Sequence, residues 1–565
     1  MPTITAQLFD MGRLVGEPLS AETLEDALPL VKGELKSHDA FTGELRIELA
    51  DGNRPDLWSP EGVARQLRAV REGKGKTYSF FSKRKRKNVG RIEVAPELET
   101  IRPYIAGFSA RNLKVGEDGL VGMIEAQEKL SEVFGRRRKS IAIGIYNAGR
   151  ISWPVRYLAV RPGDRRFTPL GAEEEMDLAA ILFDHPKGVQ YAGLLQGFSR
   201  YPFLEDAEGR VLSFPPVINS SDVGLVEVGD NHLFVEVTGT DLDTVLLAAN
   251  IFAVNLADRG GRIVPCDVIY PYDTPRGRTV RCPHDIATEI EVPFAEFERV
   301  LGITAGREDV KSVLSRFGVR VRTKGSSAFV TPPPYRRDYI HPFDAVEDFA
   351  VSYGYESFPL DTLTSFTPGE LDPLTVFADR AREILTGLGF EELVSNVLTS
   401  PAFVREHMRL SARGDLVEIE NVYAETYSVV RDRILPSLLE AEAESVKAMY
   451  PHLLFEEGEC ARKANGKVIS ERRLGGAIAH AEANFSEAHG RLNLLLYYLD
   501  VDASVEPVDH PAYLEGRCGN IVAGGKAVGV IGEVHPAVLE AWGVKMPVAA
   551  FELNLSALCE TRALS

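Results

Sequence analysis

NHLFVEVTGTDLDTVLLAANIFAVNLADRGG, residues 231–261, joins a β-like run to a long apolar helix, and its reading sets the fold class. Asn231–Val237 is short and rich in strand formers. Beyond it Val245, Ala248, Ala249, Phe252 and Leu256 share one helical stripe, and Gly260 and Gly261 end the helix with residues free to take positive φ. A strand packed beside its own helix, repeated with variations, describes an α+β domain.

Working outward, residues 91–275 contain further β-like runs, among them SIAIGIY (Ser140–Tyr146) and RVLSFPPVI (Arg210–Ile218), and read as one α+β domain. Upstream, residues 1–90 form a separate unit containing IELADGNRPDLWSPEGVARQLRAV. There Leu45, Ile47 and Leu49 alternate as in a strand, and Ser59-Pro60-Glu61 starts a helix whose Val63, Ala64, Leu67 and Val70 face inward. Downstream, residues 276–360 read as a small α+β unit closed by TPPP and the helix HPFDAVEDFAVSYGY. Residues 361–565 alternate amphipathic helices with strands such as AVGVIGEV and VAAFELNL. The whole is an α+β multidomain chain of 565 residues, consistent with roughly one domain per 150 residues.

Composition narrows the function. Hydrophobic residues make up 44% and charged residues 26%, enough to bury several cores. With 64 Lys and Arg against 82 Asp and Glu, the net charge is -18, so any nucleic-acid contact must be local. One local candidate is Lys83-Arg84-Lys85-Arg86-Lys87, which reads either as a solvated linker or as a contact for a nucleic-acid backbone. The start lacks a basic stretch followed by a long apolar one, and runs such as Leu494–Leu499 are too short to span a bilayer, which predicts a cytoplasmic protein. Five scattered cysteines without a CxxC pair fit buried or incidental thiols.

Two constellations could carry chemistry. In RRDYIHPFDAVEDFAVSYGY, residues Asp344, Glu347 and Asp348 stand at i, i+3 and i+4 of a helix, with Asp338 just before it. Such acids either favour the helix dipole in solvent or surround a hard cation such as Mg2+. The second constellation sets Leu204, Ser213, Asn219 and Glu236 near turn-forming prolines. It supplies a hydroxyl, an amide and a carboxylate for a polar pocket, but no histidine placed as a base, His232 reading as an ordinary strand residue. No GxxxxGK[ST], GxGxxG or HExxH motif is present, so an ATP-using centre of the common loop types is unsupported.

Several long strings in fixed order resemble the beta subunit of phenylalanyl-tRNA synthetase in its archaeal and eukaryotic form. They include IELADGNRPDLWSPEGVAR, EAQEKLSEVFGRRRKSIAIGIY, FTPLGAEEEMDLAAILFDHPKG, VLSFPPVIN, LFVEVTGTD, PPPYRRDYIHPFDAVEDFAVSYGY, YSVVRDRILPSLL and HPAYLEGRCGNIVAGGKAVGVIGEVHPAVL. The resemblance implies a heterotetramer of two alpha and two beta chains, in which the alpha chain joins phenylalanine to tRNA-Phe at the expense of ATP. It implies that residues 361–565 are a degenerate class II synthetase core, an antiparallel sheet with flanking helices that serves as the alpha interface and holds no aminoacylation residue of its own. Arg431 lies in its counterpart of the second class II motif.

The resemblance also implies that residues 91–275 are an editing domain of the B3/B4 kind that hydrolyses mischarged Tyr-tRNA-Phe. Leu204, Ser213, Asn219 and Glu236 would line its pocket, with Glu236 on the phenolic hydroxyl and Ser213 and Asn219 orienting substrate and water. It implies a B5-like domain at 276–360 with Mg2+ on Asp338, Asp344, Glu347 and Asp348, and it makes Lys83, Arg84, Lys85, Arg86 and Lys87 candidates for tRNA contact. Two other readings stay open: a structural, tRNA-binding subunit without editing, and a free-standing aminoacyl-tRNA deacylase.

Overall fold

His232–Gly239 alternates large apolar residues with Glu236 and Thr238, and every residue from Leu233 to Gly239 is buried. A strand buried on both faces needs a neighbour on each edge and a layer on each side. In the computed structural model, which describes residues 2–82, 90–411, 414–422 and 424–563, it has them. Tyr104–Arg111 and Ile141–Asn147 flank it, both antiparallel. The helix Leu242–Asp258 covers one face, its first turn capped by the Asp241 carboxylate, which accepts the Thr244 amide at 2.8 Å. Nearly all of this helix is buried, a broader surface than its one sequence stripe suggests.

These strands belong to a ten-stranded sheet that runs Ile218–Asn219, Val211–Phe214, Tyr201–Glu205, Val155–Val160, Gly90–Val94, Arg262–Ile269, Tyr104–Arg111, His232–Gly239, Ile141–Asn147. Thr279–Cys282 pairs with Arg262–Ile269 off this path. The sheet curls until its ends meet. Tyr146 in the last strand touches Ser213 near the opposite end at 2.8 Å, and the Asn147 amide donates to the Val223 carbonyl at 3.0 Å. The run Arg210–Ile218, expected as one strand, is two. Pro215 and Pro216 have no N–H to donate to a ladder, so the chain turns there, with the Val217 amide on the Phe214 carbonyl at 2.7 Å.

At the N-terminal end a three-stranded sheet runs Thr3–Gln7, Glu44–Leu49, Gly33–His38, with Leu45, Ile47 and Leu49 fully buried. Ser59 caps the helix Pro60–Glu72 by accepting the Gly62 amide at 3.2 Å. One continuous apolar core extends from Ile4 to Ile286 and takes in Tyr335, so residues 2–82 and 90–286 are packed together rather than strung apart. A buried polar seam reinforces the join: Arg65 donates to Asp258 at 2.7 Å, Asn255 to Ser59 at 3.0 Å, and Arg259 pairs with Asp10 at 2.9 Å. Three strands, Ile290–Pro293, Ser327–Thr331 and Arg320–Lys324, then pack with the helices Phe294–Leu301, Arg307–Ser315 and Pro342–Tyr353 around a core of their own that includes Phe297, Leu314 and Phe349.

The chain divides into two units, Met1–Thr362 and Leu363–Ser565. The second is built on a seven-stranded sheet in the order Glu391–Glu392, His452–Ala464, Lys467–Ala479, Val548–Asn554, Lys526–Val534, Tyr513–Ala523, Ala503–Pro507. All pairings are antiparallel except the first. Val548–Asn554 shows the period of two at work: Ala549, Phe551 and Leu553 join the core under the helices Pro373–Gly387, Phe485–Tyr498 and Leu555–Ala563. Val548 and Ala550 join the opposite core under Leu435–Glu444 and Pro536–Trp542. Among the described residues no helix is long and apolar enough to cross a membrane.

Phe551 has no exposed surface, and its ring lies over Gly476, where any Cβ would collide with it. Phe551→Ala is expected to lower stability by about 3–5 kcal/mol in urea unfolding. A loss below about 1 kcal/mol would contradict the packing of these layers.

Candidate functional site

Glu236 is a carboxyl group placed where its backbone neighbours leave room for it. Its register partners are Gly107 on one side and Gly144 on the other. A Cβ at Gly144 would fall 2.6 Å from Glu236 Oε1 and onto the Tyr146 hydroxyl, so glycine keeps the space open. Above it lies a cavity of about 300 Å³. Its walls come from the helix Glu117–Lys129, the strand Ile141–Asn147 and the turn that carries Ser213 to Asn219, and they are mostly apolar.

Tyr146 organises the polar end of this cavity. Its hydroxyl lies 2.9 Å from Glu236 Oε1, 2.8 Å from Ser213 Oγ and 3.4 Å from Asn219 Oδ1. Having one proton, it donates to the carboxylate and accepts from Ser213. Glu236 Oε2 is buried and has no hydrogen-bond partner among the described residues. Burial pushes the Glu236 carboxyl up to about 7, against the opposing pull of the Tyr146 hydrogen bond and the Arg102 charge. The site therefore holds an acid that titrates near neutrality and has one oxygen to spare.

Ser213, Asn219 and Glu236, singled out in the sequence, all line this cavity. Leu204 does not. It is fully buried behind the wall, paired in register with Ser213 and with Tyr157, and supports the strand that carries the serine. Tyr146, in SIAIGIY, carries no sign of this role in its own sequence; Gly144 on its strand and Gly107 are the local signal of a side chain needing space. His232 receives an N–H from Arg111 at 3.2 Å; burial, with the nearby Arg111 charge, lowers its pKa, and it is absent from the cavity wall.

The acidic helix, where the resemblance implied Mg2+ ligands, is arranged around arginines. Asp338, Asp344, Glu347 and Asp348 do not converge as a Mg2+ ligand set, and among the described residues no group of three or more His, Cys, Asp or Glu side chains could hold a metal ion. Arginines stand where the cation was expected. Arg336 binds Asp338 through both nitrogens of its fork at 3.1 and 2.5 Å and Asp348 at 2.7 Å, with Arg54 within 4.0 Å of both acids. Burial pushes the Asp338 carboxyl up, but Arg336 and Arg54 overcome this and hold it at about 2. Tyr339 adds a hydrogen bond to Asp348 at 2.6 Å. Asp344 instead caps its own helix, accepting the amides of Ile340 and His341, and Glu347 pairs with Lys32 at 2.5 Å. The four acids are thus engaged by arginines, a lysine and backbone amides.

In the second unit Arg431 is buried and already neutralised. It reaches Glu456 at 2.6 Å, the Ser395 hydroxyl at 2.8 Å and the Glu459 carbonyl at 3.1 Å. Cys266, Cys282, Cys460 and Cys518 are buried thiols. The basic run Lys83–Lys87 lies outside the described residues.

Known proteins resemble this chain over most of its length. Two domain families match: the tRNA synthetase B5 domain over residues 290–355 and the phenylalanyl tRNA synthetase beta chain CLM domain over 362–555. Among relatives, the phenylalanine–tRNA ligase beta subunit of Treponema pallidum is 39% identical over 91% of this chain and 86% of its own length. That of Thermococcus kodakarensis is 36% identical over 99% of each, and that of Borrelia recurrentis 34% over 99% of this chain and 100% of its own. An N-terminal fragment of the phenylalanyl-tRNA synthetase beta subunit from Pyrococcus horikoshii superimposes with a TM-score of 0.58 at 35% identity, covering 63% of this chain and all of the fragment.

Removing Arg336 would leave two buried carboxylates without their main partner. Arg336→Ala is expected to destabilise the protein by about 3–5 kcal/mol in chemical unfolding, with no recovery on adding Mg2+. Recovery by the ion would restore the metal reading.

Proposed function

The chain belongs to the beta-subunit family of phenylalanine–tRNA ligases, and from that membership we propose that, within the assembled ligase, it removes tyrosine wrongly joined to tRNA-Phe. It is a subunit of an aminoacyl-tRNA synthetase. The proposal assigns phenylalanine activation with ATP to an alpha partner, in an assembly of two alpha and two beta chains. What supports this division is the second unit, where Arg431 spends its charge on Glu456 rather than offering it to a triphosphate.

The need for a second filter is chemical. Tyrosine differs from phenylalanine by one hydroxyl, and an apolar pocket typically rejects such an addition only about 100-fold. The partnerless, buried Oε2 of Glu236 is the observation that carries the proposal. A tyrosyl side chain entering the cavity donates its phenolic O–H to that oxygen. A phenylalanyl side chain leaves the carboxylate desolvated and unpaired, a penalty that in sites of this kind discriminates by roughly 10⁴-fold or more. Tyr146 fixes Oε1, so the carboxylate cannot turn away from the ligand.

Hydrolysis requires water to attack the ester carbonyl that links tyrosine to the terminal ribose. Ser213 and Asn219 are the groups on hand to orient ester and water, Ser213 being held by Tyr146 and Asn219 donating to the Ile145 carbonyl at 3.4 Å. No histidine lines the cavity, so positioning carries much of the rate, aided by the ribose hydroxyl beside the ester. Mg2+ enters this account only as an attendant of ATP in the assembled ligase.

Glu236→Ala is expected to slow Tyr-tRNA-Phe hydrolysis by about 100-fold or more while phenylalanine charging stays within about twofold, measured on the complex with alpha. Equal loss of both activities would refute the assignment. The pH profile follows from the same group. Its carboxyl is neutral below about 7 and an anionic acceptor above it, so hydrolysis should rise through a midpoint near 7, and Glu236→Gln should abolish that step.

A further inference from the structure

The turn that follows the cavity's helix carries Arg136, Arg137, Arg138 and Lys139. Arg136, Arg137 and Arg138 all have positive φ, 51°, 53° and 62°, a conformation glycine adopts freely and other residues at a cost of about 1–2 kcal/mol each. The turn is also held from beneath. Arg102, buried, donates to the carbonyls of Arg138 and Lys139 at 3.2 and 3.3 Å. It also donates to the Thr238 hydroxyl and carbonyl at 3.1 and 2.8 Å, on the strand that bears Glu236. A buried guanidinium thus ties the basic turn to the floor of the site.

The charges on the turn are unspent. Some exposed arginines elsewhere find acids, as Arg278 does with Asp273 at 2.8 Å and Arg322 with Glu289 at 2.9 Å, while others such as Arg46, Arg161 and Arg320 find none among the described residues, but those are not grouped beside the cavity. Among the described residues, Arg136, Arg137 and Lys139 form no ion pair, although the chain has 82 acids. Arg138 does pair, with Glu132 at 3.4 Å, and it also donates to the Pro216 and Val217 carbonyls at 3.1 and 2.9 Å, which places it in the cavity wall with Lys187. The wall's own acids are Glu128 and the buried Glu236.

We infer that Arg136, Arg137 and Lys139, with Lys187 at the cavity wall, bind the phosphates of the single-stranded 3′ end of tRNA and so deliver the ester to Glu236. The inference rests on the proposed hydrolysis and adds the element that grips the nucleic acid. Cations fixed on a rigid turn release counterions from a phosphate backbone without first losing side-chain freedom to local ion pairs. An overall negative chain then binds tRNA at a chosen place.

The test compares the unaltered protein, in complex with its alpha subunit, with the triple variant Arg136→Gln, Arg137→Gln, Lys139→Gln. Two substrates are used, Tyr-tRNA-Phe and tyrosyl-adenosine, which has the ester but no phosphates. The variant should raise KM for Tyr-tRNA-Phe about tenfold or more with kcat little changed. It should flatten the slope of log(kcat/KM) against log salt by about 2, or about 0.7 for each lost single-strand phosphate contact. Hydrolysis of tyrosyl-adenosine should not change, and Arg136→Lys with Arg137→Lys should keep the normal KM. Unchanged KM and salt slope for Tyr-tRNA-Phe, or equal damage to both substrates, overturns this inference alone. Absence of hydrolysis by the unaltered complex overturns the proposed function and this inference with it.

Discussion

A carboxyl group sealed between two glycines, with one oxygen bound and the other bare, is the constraint to which the first unit conforms. Burying a charge without a counter-ion in contact is unfavourable, and the fold accommodates it through neighbours rather than by exposure. Gly107 and Gly144 leave space on either side, Tyr146 satisfies one oxygen, and Arg102 contributes its charge from a distance. The curl of the ten-stranded sheet serves the same site, since closing its ends brings Tyr146, already beside Glu236, to Ser213. The helix Leu242–Asp258 then holds the opposite face rigid with an almost wholly apolar surface.

Elsewhere the chain handles buried charge in the opposite way, by pairing it within itself. Arg336 with Asp338 and Asp348, and Arg431 with Glu456, are closed polar sets with little or no exposure. Such pairs add little to net stability but are costly to break. They fix geometry and leave nothing over for a ligand. The contrast with Glu236 is the physical ground for placing the chemistry of this chain in the curled sheet: other buried nitrogens also lack a partner among the described residues, but Glu236 Oε2 is an unpartnered carboxylate oxygen whose residue lines a cavity.

Local periodicity made much of this legible. Leu45, Ile47 and Leu49 alternate and form a strand; Val245, Ala248, Phe252 and Leu256 recur at helical spacing and are buried; Ser59 caps where a serine before Pro-Glu should. Ser213, Asn219 and Glu236 could be picked out as polar groups beside prolines, and they meet at one cavity. What the sequence hid depends on distant partners. Tyr146 becomes important only when the sheet closes, Leu204 proves to back the wall because of its register with Ser213, and the acids near 338–348 are met by Arg54, nearly 300 positions away. That last case shows the limit of spacing arguments: three carboxylates on a helix predict a nearby positive charge but not whether a metal or an arginine supplies it.

The account turns on selection by a single unsatisfied oxygen, and one ratio measures that directly: kcat/KM of the assembled ligase for hydrolysing Tyr-tRNA-Phe, divided by its value for Phe-tRNA-Phe. A ratio of about 10⁴ or more is what a buried, desolvated carboxylate imposes on a ligand that cannot donate to it. A ratio near one would mean that the Glu236 carboxyl does not read the phenol, and the account would be wrong at its centre.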